Sequence, residues 1–148
     1  MARKVLTYEV KSNNSENRDA GKVFVITEMP ATQAQRWAMR AFLAMARNGV
    51  ELPDDVEGLG IAGMVHYGMD MIAKLPFEEA DFLVERLMEC VQIQPSPGVV
   101  RKLIESDIEE VTTRFILAKE AFRLHVNFSQ LANNSTPATG ASASTTHG

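Results

Sequence analysis

The hydrophobic pattern of this chain changes period at one proline. Before Pro30, residues 5–10 and 22–26 are rich in β-branched and aromatic side chains and flank the polar stretch 12–21, which reads as a two-stranded hairpin joined by a long mobile loop. After Pro30 the apolar residues recur at three and four, the period of a helix. Proline is tolerated in a helix's first turn and Asn48-Gly49 is a stop signal, so a helix is expected over 31–47. A lone hairpin is marginal in water, so one face of it must pack on the helices or pair with another subunit's edge.

In that first helix Ala34, Ala38, Ala41 and Met45, widened by Trp37 and Phe42, form the expected buried side, and Gln33, Arg36, Arg40 and Arg47 the wet one. A second helix is expected over 59–75, where Gly60, Gly63 and Gly68 each cost up to ~1 kcal/mol against alanine. Close approach of another backbone is the expected compensation. A third helix follows Pro76, with Phe77, Ala80, Val84, Leu87 and Val91 on its stripe and Glu78, Asp81, Glu85 and Glu89 opposite. Two prolines and a glycine in 94–98 are expected to break regular structure.

The longest helix is expected over 107–128, with Ser106 as N-cap and Glu109 completing a capping box. It carries one stripe of Ile108, Val111, Phe115, Ala118 and Phe122 and another of Leu117, Ala121, Leu124 and Phe128. That is more apolar circumference than one neighbour needs, so the helix is either buried between others or offers a surface. Residues 132–148 hold Asn, Ser, Thr, Ala and Gly with too little apolar material to order, and read as a disordered tail. The expected fold is therefore mainly α: a hairpin in 1–29, a compact four-helix domain in 30–131 and the tail.

The 148 residues are enough to bury a core, and a net charge of -4 argues against binding nucleic acid by bulk electrostatics. Cys90 stands alone, excluding an internal disulfide and fitting a reducing compartment; no signal-like or membrane-spanning apolar run is read. His66, His125 and His147 have no metal-ligand spacing, so no metal or cofactor is expected. His66 with Asp70 lacks a nucleophile, and Glu78-Glu79 and Glu109-Glu110 point in divergent directions. With no phosphate loop or serine elbow, an enzyme is not expected. Met39, Met45, Met64, Met69, Met71 and Met88 supply either adaptable surface or core filling.

The residues Ile26-Thr27-Glu28-Met29-Pro30-Ala31-Thr32, then Trp37-Ala38-Met39-Arg40-Ala41, resemble the tail assembly chaperones of long-tailed bacteriophages. A later stretch, Thr112-Thr113-Arg114-Phe115 through Leu124-His125-Val126-Asn127-Phe128, extends the resemblance, which covers about residues 22–128. It implies a non-catalytic protein of the host cytoplasm that coats the tape measure protein and helps recruit tail tube protein. It also implies self-association, the hairpin being one possible contact, and a longer form made by frameshifting. Trp37, Phe115, Phe122, Leu124 and Phe128 are the candidate partner-binding anchors, as aromatic and large aliphatic groups dominate interfaces. The alternatives are a DNA-binding regulator using Arg36, Arg40, Arg47, Arg101 and Lys102, and a structural tail or neck component.

Overall fold

The computed structural model describes residues 3–50 and 68–126. Two strands, β1 (Val5–Glu9) and β2 (Val23–Thr27), precede helix α1 (Ala31–Arg47). Helical residues 68–73 (α2) and helix α3 (Phe77–Met88) follow, then strands β3 (Val91–Ser96) and β4 (Val99–Lys102). A single 3-10 turn, Glu105–Asp107, leads into helical residues 111–126 (α4). Most of the expected second helix, with Gly60, Gly63, Met64 and His66, lies outside the described residues, as do Phe128, His147 and the expected tail.

The mainly α expectation is corrected by the sheet. All four strands join in one antiparallel sheet of order β1-β2-β3-β4, so the N-terminal hairpin is half of a larger sheet in a mixed α/β fold. Residues Val91-Gln92-Ile93-Gln94 alternate apolar and polar, and Val91 starts β3 instead of ending the third helix. The expected break at 94–98 is a tight hairpin turn. Gly98 has φ 79°, which follows Pro97 as a type II turn requires, and a register shift between Ile93 and Ser96 takes Pro95 out of the regular ladder.

Register places Leu6, Ile26 and Val91 in one row and Tyr8, Phe24 and Ile93 in the next, all on one face of the sheet. There they join Leu87 and Met88 of α3 and Leu117, Ala118, Ala121 and Leu124 of α4 in the main core. The other face carries Val5, Thr7 and Glu9, all exposed, so β1 is buried on one side only, whereas Val25 of β2, opposite Thr7, is buried on that face as well. A second cluster lies between helices, where Ala41 and Ala44 of α1 meet Ile72, Leu75 and Leu83, and Trp37, Met69 and Val84 pack against both cores. The expected stripe of α3 rotates: Leu83, Leu87 and Met88 are buried, whereas Phe77 is exposed.

The long loop after β1 is pinned by Asp19, whose carboxylate is fully buried. It accepts the Glu109 N–H at 3.0 Å and the Glu110 N–H at 2.8 Å, and Lys22 Nζ at 2.9 Å. This replaces the expected Ser106 cap: Ser106 lies in the 3-10 turn, and a carboxylate some ninety residues away takes the N–H groups leading into α4. Burial pushes the Asp19 carboxyl up, but the donors from Glu109, Lys22, Thr113 and Glu110 outweigh it and hold it down to about 2. Lys22 Nζ also donates to the Asp107 carbonyl, and Asp107 takes both Arg101 terminal nitrogens at 2.8 and 2.9 Å. One polar network thus ties the loop and the β3-β4 hairpin to the start of α4.

Candidate functional site

Two surfaces around α1 stand out, and both arise from how that helix is used. Its buried side is made of small residues, Ala41 and Ala44, which let α2 and α3 approach closely. Trp37 and Met45 pack at its edges, but three other large apolar residues are left outside: Met39, Phe42 and Leu43 are 55%, 66% and 59% exposed. The expected buried side is thereby corrected, since Phe42 and Ala38 face outward while Ala44 is enclosed. Spacings of three and four align these three side chains along one strip of helix surface.

The second surface is a cleft of about 630 Å³ between the β2-α1 junction and α3. Arg3, Arg36, Arg40 and Arg86 line it together with Trp37 and Phe82. The Arg40 guanidinium lies 3.7 Å from the Phe82 ring centroid and 3.4 Å from the Glu79 carboxylate. Arg86 is 5.1 Å from the same ring and pairs with Glu89 at 3.0 Å. Phe82 thus serves as an apolar floor for two cations. Cys90 also lines the cleft, but burial, with the charge of Glu89 adding to it, pushes its thiol up to about 11, far from a reactive thiolate.

The five expected anchors do not share one surface. Trp37 is half-buried: its indole N–H donates to the Leu83 carbonyl at 3.0 Å, and its ring meets Phe122 with centroids 6.0 Å apart. Phe122 packs against the main core and closes on Gly68 so tightly that a Cβ there would lie 2.6 Å from its ring. The close approach expected at this glycine is therefore made by an aromatic ring, not by a backbone. Leu124 is buried, Phe115 is 64% exposed on α4 beside Val111, and Phe128 lies outside the described residues.

His125 is satisfied at both ring nitrogens, Nε2 accepting the Met29 N–H at 2.9 Å and Nδ1 meeting the Ala121 carbonyl at 2.8 Å. It joins α4 to the β2-α1 junction. The cations named for DNA binding are divided between tasks: Arg101 is held by Asp107, and Arg40 and Arg47 both reach Glu79. Of the methionines, Met71 and Met88 are buried and only Met39 is strongly exposed among the described residues. No group of three His, Cys, Asp or Glu side chains that could hold a metal occurs among the described residues. No described helix is long and apolar enough to cross a membrane.

Comparison with protein-family models, with curated proteins and with solved structures finds no match to this chain.

Proposed function

We propose that this protein is a non-catalytic tail assembly chaperone that holds amphipathic helices of a tape measure protein on the outer face of α1. The observation that carries this reading is the strip of Met39, Phe42 and Leu43, each more than half exposed. Large apolar side chains at positions i, i+3 and i+4 are the form in which one helix presents anchors to another. Phe115 and Val111 on α4 offer a second, shorter strip of the same kind. The resemblance noted in the sequence falls at the start of α1, with Trp37 and Met39 inside it. The client would be released before the tail is complete, in the host cytoplasm. Recruitment of tail tube protein, self-association and a frameshifted longer form belong to the same proposal.

The test is co-expression with a tape measure protein. The wild-type chain is expected to keep the client soluble and to co-purify with it. Phe42→Gln combined with Leu43→Gln should release the client while leaving the circular dichroism spectrum and unfolding midpoint of the chaperone unchanged. A client that stays insoluble with the wild type, or stays bound to the double variant, refutes the reading.

A further inference from the structure

Among the described residues, every arginine except Arg3 and Arg36 has an ion-pair partner, from Arg18 on Glu110 to Arg123 on Glu120. Arg3 and Arg36 both line the cleft beside Trp37 and Phe82. They come from separate parts of the chain, Arg3 leading into β1 and Arg36 standing on α1. Gln33, one turn before Arg36, and Gln92 of β3 add amide groups to the same wall.

We propose that this cleft binds an acidic peptide segment of a partner protein, its carboxylates on Arg3 and Arg36 and a neighbouring apolar side chain against Trp37. Guanidinium groups match carboxylates with paired, charge-assisted hydrogen bonds, and the aromatic wall removes water from around them. The partner is peptide rather than nucleic acid because Glu28 and Glu89 share the cleft. Two fixed negative charges leave room for discrete carboxylates but repel a continuous run of phosphates. The remaining arginines, being paired, extend no basic stripe beyond the cleft. This site adjoins the outer strip of α1, Arg36 standing one turn before Met39, but shares no residue with it, and its test involves no tape measure protein.

The experiment measures fluorescence anisotropy of the full chain with three labelled probes: an alternating glutamate-leucine hexapeptide, its lysine-leucine counterpart and a short oligothymidylate. The glutamate peptide alone is expected to bind, more weakly as salt rises. Arg3→Gln with Arg36→Gln should weaken it by roughly tenfold or more, the loss of charge-assisted contacts. Lys102→Gln with Lys119→Gln, which removes equal charge elsewhere, should change it by less than about twofold. Failure of the glutamate peptide to bind, binding indifferent to the arginine pair, or equally tight oligothymidylate binding lost in the same variant overturns the proposal.

Discussion

Replacing Asp19 by Asn tests whether one buried carboxylate organises the polar side of this fold. The wild-type group is held from an ordinary 3.8 down to about 2. A carboxyl depressed in the folded state adds stability that is full above its unfolded value and disappears as pH falls through the folded one. The gap corresponds to about 2 kcal/mol at neutral pH. Asn removes that charge and turns an amide N–H toward donors from Glu109, Glu110 or Lys22, each of which needs an acceptor. A buried donor left without a partner costs about 1–3 kcal/mol, so the neutral-pH loss should be about 3 kcal/mol. Urea unfolding of both chains from pH 7 downward measures it. The wild-type advantage due to charge should be about half gone at pH 3 and nearly absent at pH 2. Asp107 and Glu110, also held below the usual carboxylate range by Arg101 and Arg18, titrate in both chains and largely cancel. Equal stabilities at pH 7, or a difference that persists unchanged into acid, would refute the assignment.

Gly68→Ala should destabilise by about 1–3 kcal/mol despite alanine's better helix propensity, because the new methyl meets the Phe122 ring; thermal unfolding decides. Phe122→Asp should unfold the protein by driving a carboxylate between Trp37 and the main core, whereas Phe115→Asp should change stability by no more than about 0.5 kcal/mol, both read by denaturant midpoint. Trp37→Phe keeps most of the apolar area and loses the hydrogen bond to Leu83, for a cost of about 1 kcal/mol measured the same way.

The strands and helices that obey one local rule were legible in the chain. Residues 31–47 are bounded by Pro30 and Asn48 as expected, β1 lies inside the first strand-like run, and β2 matches the second but extends one residue beyond it to Thr27. What escaped were features decided at a distance. The alternation Val91-Gln92-Ile93-Gln94 is a period-two signal, but Val91 also continues the three-four pattern of α3, and two prolines beyond it read as a break. Pairing of β3 with β2 resolves the ambiguity because Ile93 and Val91 then stand opposite Phe24 and Ile26. Asp19 looked like one more polar loop residue, since its partners at 109 and 110 are reached only through the fold. Trp37 and Phe122 looked like anchors by size alone, and each is used to join one helix to another.

The orientation of α1 was the least legible feature, because the helix is apolar on more than one side and periodicity cannot choose between them. The structure chooses the alanines for the interior and leaves Phe42 and Leu43 outside. A helix serving only the core would do the reverse, since burying a Phe or Leu side chain stabilises by about 1.5–3 kcal/mol and burying alanine by far less. Forgoing that gain exposes a continuous apolar strip, a feature associated with association rather than with monomer stability. Substituting both residues by glutamine therefore removes little native packing and keeps good helix formers. The doubly substituted protein should unfold within about 0.5 kcal/mol of the wild type and bind less of a hydrophobic dye such as ANS. A loss of several kcal/mol would mean that Phe42 and Leu43 are covered within the folded chain, and the strip would no longer be available to a partner.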